Sequence, residues 1–129
     1  TLTLADAANL EIAAPAILRA FCEHMDAAIC GLWLLNNTGK KLRLFHLETT
    51  AQARNAASFI AESKKLGFSS GIGLPGQVWQ KNAPVWIPNT VSGEKFPRAT
   101  FAAAAGLHSG VGFPIKIGKE FFGVIEFFT

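Results

Sequence analysis

The sequence predicts an α+β domain built on an antiparallel sheet. Two pairs of apolar, strand-like segments are each joined by a short turn, at Asn36–Gly39 and at Gly118–Lys119, as in antiparallel hairpins. Segments whose apolar residues recur at helical spacing precede and separate these pairs. The length of 129 residues suits a single domain.

The first half of the chain predicts a helix, a hairpin and a second helix. The first helix is expected from Pro15 to Met25, where apolar residues recur at helical spacing. The segment from Ala28 to Leu35 is apolar on both faces, as expected of a central strand covered on both sides. A second strand over Leu42–Leu47 completes the hairpin, and the Ala-rich stretch Ala51–Lys65 predicts the next helix.

The second half alternates short helices with strands. In chain order we expect a short helix from Leu74 to about Lys81, a strand over Val85–Ile87, a helix over Pro97–Ala105 ended by Gly106, and strands over Ser109–Ile117 and Phe121–Phe128. Along the first long strand, Gly110, Gly112 and Pro114 share one face. A face without side chains leaves space for a closely packed helix or for a ligand.

Three glycines, Gly71, Gly73 and Gly76, match the spacing of the dinucleotide-binding fingerprint. Their surroundings disagree with that function, which needs a buried parallel strand before them and a long helix after them. Residues 67–70 are too short and polar for such a strand, and Glu94, at nearly the right distance for a ribose contact, lies in a polar loop. The glycines instead predict an irregular entry to a short helix that begins with a proline.

Composition excludes several classes of protein. Half of the residues are apolar, and 11 Phe and 3 Trp exclude a disordered chain. No run approaches the roughly 18 apolar residues of a membrane span, and the N-terminus has no secretory pattern. The net charge of +3 comes without basic patches interleaved with aromatics, so we expect neither nucleic-acid binding nor membrane insertion. A cytoplasmic location is expected.

The chemistry-bearing residues give little support for catalysis. Cys22 and Cys30 are expected to be reduced, buried and structural, and His24 and His46 are expected to be structural, His46 on the face of Leu42 and Leu44. The chain contains no Tyr, and it shows no close carboxylate pair and no metal-ligand spacing. The run from Gly106 to Gly110 lacks the order of a nucleophile elbow. We therefore expect no enzymatic activity and no metal.

Six short motifs occur in an order that identifies the chain by resemblance. They are Gly73–Trp79, Pro84–Pro88, Phe96–Ala99, Ala105–Gly110, Phe113–Ile115 and Gly123–Phe128. In this order they resemble a GAF domain, most of all the bacterial sensor type that lies upstream of histidine kinase, diguanylate cyclase or response-regulator modules. The resemblance extends from about Pro15 to the C-terminus.

The resemblance implies a PAS/profilin-like fold, with a five- or six-stranded antiparallel sheet and helices on both faces. It implies a small-molecule pocket on one face and terminal helices on the other, where they often form a homodimeric bundle. The customary exit helix does not follow the last strand. We therefore expect residues 1–129 to be one domain taken from a longer signalling protein with an output domain.

Known chemistries of the resembled family are not expected here. The helix over Thr100–Ala105 has no Cys for covalent bilin attachment, and Cys22 and Cys30 do not match the cysteine cluster of methionine-sulfoxide-reducing members. No cyclic-nucleotide signature is found. His108 is the one candidate for haem ligation, which we do not expect, so the prediction is that no cofactor is bound.

The candidate ligand-binding residues are mostly aromatic. They are Trp33, Trp79, Trp86, Phe101, His108 and Phe113, with Val78 beside Trp79 closing one side of a pocket. Each aromatic could instead be plain core, and His108 could be a rim histidine bonded to backbone or water. Glu126 is a charge within an otherwise apolar strand, where an unpaired carboxylate would be costly. It either forms an ion pair, with Arg98 or Lys116, or backbone hydrogen bonds at a sheet face, or it serves as a polar anchor that senses a ligand.

Together these features predict a regulatory, ligand-binding domain of a bacterial signal-transduction or two-component protein. Its ligand state would be passed to the output domain through the terminal helices. The alternative is a ligand-free dimerisation scaffold whose pocket is filled by its own side chains.

Overall fold

A computed structural model describes residues 3–89 and 96–129 of the chain. Within these residues the elements, in chain order, are α1 (Leu4–His24), β1 (Ile29–Leu35), β2 (Leu42–Thr49), α2 (Ala57–Lys65), β3 (Gly67–Phe68), α3 (Gly73–Lys81), β4 (Val85–Ile87), α4 (Ala99–Ala104), β5 (Gly110–Ile117) and β6 (Glu120–Phe128). No helix of this described part is long and apolar enough to cross a membrane.

The strands form one six-stranded sheet in the order β3-β2-β1-β6-β5-β4. Every neighbouring pair is antiparallel. The α+β class and the antiparallel sheet predicted from the sequence are therefore confirmed.

Helices cover both faces of the sheet, as expected. Along β1, Leu32 packs into a cluster with Leu18 of α1, whereas the next residue, Trp33, packs into a cluster with Leu74 of α3. Alternation along the strand thus separates two cores. We call them the α1 face and the α2–α4 face, after the helices that cover each of them.

The first helix is longer than predicted. It begins at Leu4 rather than Pro15, because Thr3 and Asp6 form a reciprocal capping box at its N-terminus. Pro15 lies inside the helix. The second helix is shorter than predicted, and it begins at Ala57 because Asn55 adopts a left-handed conformation with φ of 52°, which a right-handed helix does not accommodate.

The first hairpin forms as predicted, with an irregularity that the sequence did not indicate. Trp33 pairs with Leu44, but the preceding Leu32 pairs with His46, so Phe45 is an extra residue in β2. Residues paired directly across strands point to the same face. The expected position of His46 beside Leu44 is therefore wrong, since the bulge turns His46 to the α1 face.

The glycine-rich segment supports architecture rather than nucleotide binding. β3, which precedes it, is a two-residue edge strand paired antiparallel to β2. Gly73 has a φ of 69°, and a Cβ at Gly76 would lie 2.3 Å from the carbonyl oxygen of Ser69, so both positions need glycine. Glu94 lies outside the described residues.

The bare face of β5 is occupied by a helix. A Cβ at Gly112 would lie 2.7 Å from Cγ2 of Val78. One at Gly110 would lie 2.5 Å from Cε1 of Phe128 and 3.3 Å from Cδ2 of Leu74. Val78 and Leu74 belong to α3. Of the two possibilities that the glycines left open, the structure shows the closely packed helix.

Candidate functional site

Glu126 lies at the centre of the sheet, on the α2–α4 face. Its neighbour in β1 is Gly31 and its neighbour in β5 is Gly112. Because neither residue has a side chain, the carboxylate has room to lie against the sheet. Trp33, two residues beyond Gly31 and on the same face, donates its indole N–H to Oε1 of Glu126 over 2.7 Å.

Arg98 pairs with this carboxylate in a fork-to-fork arrangement. Its Nη1 and Nη2 donate to Oε1 and Oε2 of Glu126, each over 2.8 Å. Nη1 also donates to Oγ of Ser63 on α2 over 3.1 Å. The side chains of Arg98 and Glu126 are 0% and 1% exposed. This is a buried, bidentate and charge-assisted pair, which is the strong form of such hydrogen bonds.

Aromatic rings enclose the guanidinium. Five rings of the described residues have centroids within 5.0–5.5 Å of Cζ of Arg98, and they belong to Trp33, Phe59, Phe68, Phe96 and Phe128. These distances lie within the range of a cation–π interaction. We call the five rings, Ser63 and the carboxylate of Glu126 the cage.

The five rings of the cage come from five different parts of the chain. Phe59 and Ser63 lie one turn apart on the inner side of α2, where both are buried. Phe68 comes from the edge strand β3, and Phe128 from the end of β6. Arg98 itself is the residue that precedes α4, at its N-cap.

One polar atom of the enclosed guanidinium lacks a partner. Within residues 3–89 and 96–129, Nε of Arg98 is buried and has no hydrogen-bond acceptor. An unmade hydrogen bond at a buried, charged group is destabilising. The cage therefore pairs the two charges with each other but leaves one N–H of the guanidinium unused.

The structure places the predicted pocket residues apart from one another. Of the six, all in the described part of the chain, only Trp33 is among the cage rings. Trp79 stacks on Phe121 with centroids 5.8 Å apart, and Trp86 is 69% exposed. These aromatics are spread over different parts of the fold.

The remaining candidates are also dispersed. Phe101 is half-buried against the α2–α4 core, and Phe113 is half-buried on the opposite, α1 face. His108 is exposed, and its backbone N–H donates to the carbonyl oxygen of Thr129. Val78 is a buried residue of α3 that packs against Gly112 in the core.

The expected partner of Glu126 is settled by these contacts. The sequence left Arg98 and Lys116 as alternatives, and Arg98 makes the pair. Lys116 is exposed, and its Nζ approaches the carbonyl oxygen of Asn82 at 3.5 Å. The sequence did not single out Ser63, Phe59, Phe68, Phe96 or Phe128 for the site. The one sequence signal for this site was the isolated charge of Glu126, because a carboxylate within an apolar strand needs polar partners when it is buried.

The two cysteines lie in the core of the α1 face, away from the cage. Burial raises the pKa of Cys22 to about 11, with smaller contributions from the carboxylates of Glu48 and Glu23. Burial also raises the pKa of Cys30, still further. Both thiols are therefore protonated at neutral pH and are weak nucleophiles.

A second feature is an apolar groove on the α1 face. Its volume is about 460 Å³. The side chains that line it are Leu10, Ala14, Ile17, Leu18, Phe21, Met25, Leu32, Phe113, Ile115, Ile125 and Phe127. Ile17, Phe21 and Met25 of this lining are 43–49% exposed and follow one another at four-residue intervals along α1.

No cluster of three or more His, Cys, Asp or Glu side chains suited to a metal ion occurs among the described residues. The groups around the guanidinium of Arg98 are a carboxylate, a hydroxyl and aromatic faces, and the indole N–H of Trp33 donates to the same carboxylate.

Solved structures with the same fold come from several kinds of protein. The GAF domain/HD domain protein from Geobacter sulfurreducens matches with a TM-score of 0.74 and 9% identity, over 99% of this chain and 79% of that one. The A. aeolicus nlh2 GAF domain in an inactive state matches with a TM-score of 0.67 and 23% identity, over 88% and 64%. Free methionine-R-sulfoxide reductase from Neisseria meningitidis, solved with its substrate, matches with a TM-score of 0.66 and 17% identity, over 95% and 62%.

At these identities the likeness is one of fold. The chain spans less than two thirds of the length of the nlh2 and reductase chains. No curated protein matches the chain. A family model described as GAF domain, however, matches residues 7–129. Since this match covers nearly the whole sequence and agrees with the fold, the chain belongs to the GAF domain family.

Proposed function

We propose that this chain is a regulatory, small-molecule-binding domain of a bacterial signal-transduction protein. The observation that carries the proposal is the cage, in which a buried ion pair lies among aromatic rings between the sheet and α2 and α4. Small-molecule sites typically combine apolar and aromatic walls with a few placed polar groups. Fold relatives include a GAF domain solved in an inactive state and a reductase solved with its substrate.

A ligand would act by preferring one of two states of the cage. In the closed state Arg98 is bound to Glu126, and in the other the ion pair is rearranged around the ligand. The equilibrium shifts only by the difference in the ligand's affinity for the two states. A ligand that contacts Glu126 directly would satisfy this condition, because it competes with Arg98.

The path from the cage to a partner would run through β6. Glu126 faces the cage, whereas its neighbours Ile125 and Phe127 line the groove on the α1 face. A shift of β6 at Glu126 would therefore move both groove residues against α1. We propose that α1 passes this change to an output domain in the same polypeptide.

We also propose that the groove is the contact of a homodimer. The exposed residues Ile17, Phe21 and Met25 form a stripe at four-residue spacing, which suits packing against another helix. The same stripe on a second copy is complementary to it in a two-fold arrangement. An exposed apolar patch of this kind marks an interaction site.

The proposed role of the domain itself is regulatory and not catalytic. Some proteins of this fold are enzymes, as the methionine-R-sulfoxide reductase shows. In this chain, however, both thiols are buried on the face opposite the cage and have raised pKa values. We propose that the domain binds no cofactor and that His108 does not ligate haem.

The proposal is tested by thermal shift across a metabolite panel that contains anions, cations, nucleotides and neutral compounds. At least one class should stabilise the protein in a saturable manner, and native mass spectrometry should show the added mass. Glu126→Gln should weaken this stabilisation, whereas Glu120→Gln, on the exposed end of β6, should not. A visible absorption spectrum of the purified protein tests for haem.

The alternative is a ligand-free dimerisation scaffold, which a specific observation favours. Arg98 already fills the cage, so the closed state is self-sufficient. A dimer that shows a bare mass and no thermal shift with any compound of the panel would support the scaffold and contradict the sensor.

A further inference from the structure

The parts of the cage differ in how they are held. The carboxylate of Glu126 and the rings of Trp33, Phe68 and Phe128 come from sheet strands, and Phe59 comes from α2. Arg98 and Phe96 instead come from the segment that leads into α4. The framework of the domain thus supplies an anionic, aromatic-lined socket. The guanidinium is added to this socket from a separate element.

The element that delivers Arg98 is short. α4 has six residues, and no side chain caps its N-terminus. It packs mainly against α2 rather than onto the sheet. Its fully buried side chain is the small Ala102, and Ala99 and Phe101 are partly buried against the same core. Arg98 adds hydrogen bonds to Glu126 of the sheet to these apolar contacts. A competitor for the socket would therefore remove the polar part of this attachment and loosen α4.

The fit of Arg98 in the socket is incomplete. Three of the five N–H groups of the guanidinium are used by Glu126 and Ser63, and Nε, which joins the guanidinium to its own side chain, has no acceptor. A small cation not tethered at that nitrogen would keep the fork to Glu126. It would carry a similar set of N–H groups, but it could turn those that Glu126 and Ser63 do not use, which the tether of Arg98 prevents.

From these observations we propose that Arg98 is an internal occupant of a cation site, and that the ligand is a small organic cation bearing a guanidinium group. This inference rests on the proposed sensory function and names its ligand class. The fixed walls supply what such a cation needs: two carboxylate oxygens for a fork of N–H donors, and four aromatic faces with centroids 5.0–5.3 Å from the bound carbon. Binding would expel Arg98 and release α4.

An anionic ligand would need the opposite arrangement. It would have to pair with Arg98 after Glu126 had withdrawn, but Glu126 is fixed in a central strand between β1 and β5. An anion would otherwise lie beside a buried carboxylate, where like charges repel. The group that stays in place is negative, so the site selects a cation.

The first test follows the side-chain N–H signals of the wild-type protein by nitrogen-15 NMR during titration with methylguanidinium. The Nε–H of Arg98, assigned by its loss in Arg98→Met, and the indole N–H of Trp33 should shift together and saturate. The indole of the exposed Trp86 and the Nε–H of the exposed Arg54 serve as internal controls and should not shift. Sodium nitrate and phosphate at matched ionic strength should give no saturable change.

The second test removes the internal competitor. Arg98→Met should bind methylguanidinium about tenfold more tightly than the wild type, or tighter still, because a tethered side chain acts at a high effective concentration. Arg54→Met should bind like the wild type, and Glu126→Gln should lose binding. If Arg98→Met does not fold by itself, methylguanidinium should restore its folding, and inorganic anions should not.

The inference is overturned if folded Arg98→Met binds methylguanidinium no more tightly than the wild type. It is likewise overturned if an unfolded Arg98→Met is not restored, or if nitrate or phosphate saturates the cage signals instead. Should the metabolite panel yield a neutral or anionic ligand while methylguanidinium fails, the cation class is wrong and the sensory function stands. Should both fail, both are wrong.

Discussion

The two faces of the sheet use alternate residues of the same strands to make opposite kinds of surface. On the α2–α4 face, the buried charges of Arg98 and Glu126 are paired and enclosed by aromatic rings. On the α1 face, an apolar groove of about 460 Å³ remains open, with half-exposed Ile17 and Phe21 at its rim. On the first face the two charges are paired with each other, although Nε of Arg98 has no acceptor among the residues that the structure describes. The second face is suited to contact with another surface.

The difference explains why the proposed ligand site and the proposed dimer contact lie on opposite faces. Burying a charge is tolerated only where it is paired and hydrogen-bonded. The ion pair accordingly lies on the α2–α4 face, which helices cover. Exposed apolar surface is typical of interaction sites, so the dimer contact is proposed for the groove on the α1 face. β6 belongs to both, because Glu126 faces the cage while Ile125 and Phe127 face the groove.

The largest effect is expected from breaking the ion pair on the closed face. Arg98→Met leaves the carboxylate of Glu126 buried without its charged partner, and should lower the free energy of unfolding by about 3–5 kcal/mol. Urea denaturation measures this change. The control Arg54→Met, at an exposed arginine, should change stability by no more than about 0.5 kcal/mol. A loss below about 1 kcal/mol for Arg98→Met would mean that the pair is not fully desolvated.

A smaller effect is expected from adding a side chain to β5 where α3 packs closely against it. Gly112→Ala places a Cβ 2.7 Å from Cγ2 of Val78 and should cost about 1–3 kcal/mol through overpacking. Combining it with Val78→Ala should cost less than the sum of the two single changes, because the clash is removed. If the double variant loses as much stability in urea denaturation as the two single variants together, the clash is not with Val78.

The thiols of the α1 face should add a pH dependence of about 1–2 kcal/mol. Burial raises the pKa of Cys22 from about 9 to about 11 and raises that of Cys30 as well. The unfolded chain therefore releases these protons first as pH increases. Stability should fall as the pH rises from 9 towards 11, and the chain has no Tyr to titrate in the same range.

The thiol effect is isolated by comparing the wild type with the Cys22→Ala, Cys30→Ala double variant. Urea midpoints at pH 8 and pH 10 should differ more for the wild type than for the variant. An equal fall in both proteins would assign the pH dependence to other groups, such as the lysines.

The smallest effect on unfolding is expected at the open groove. Ile17→Glu combined with Phe21→Glu changes side chains that are about half exposed, and it should alter the stability of the monomer by no more than about 1 kcal/mol. The same variant should dissociate the proposed homodimer, as measured by light scattering coupled to size-exclusion chromatography. Ala20→Glu, at an exposed position of α1, should leave the dimer intact. A dimer that survives the double change would place the contact elsewhere.

Much of the fold could be predicted because hairpins and strand alternation are local signals. The turns at Asn36–Gly39 and Gly118–Lys119 and the apolar strands around them were predicted and are confirmed. The start of α1 could also have been predicted, since Thr3 and Asp6 are spaced for a capping box. The bulge at Phe45 could not, because nothing in the local pattern distinguishes it from regular alternation.

The site was only partly predictable, for a tertiary reason. Glu126 stood out as a charge in an apolar strand, and Arg98 was one of its two candidate partners. The cage, however, depends on Phe59, Phe68 and Phe128, which come from three different elements and carry no shared sequence pattern. The sequence instead predicted pocket positions for the aromatic residues near the family motifs. The fold disperses these residues, which are Trp79, Trp86, Phe101 and Phe113.

The interdependence of Arg98 and Glu126 within the cage is tested most directly by a double-mutant cycle. Arg98→Met, Glu126→Gln and the double variant are compared with the wild type by urea denaturation. The double variant contains no buried charge, so it should be more stable than the sum of the single losses implies, with a coupling energy of about 2 kcal/mol or more. Additive losses, within about 0.5 kcal/mol, would contradict a closed cage that joins these two residues.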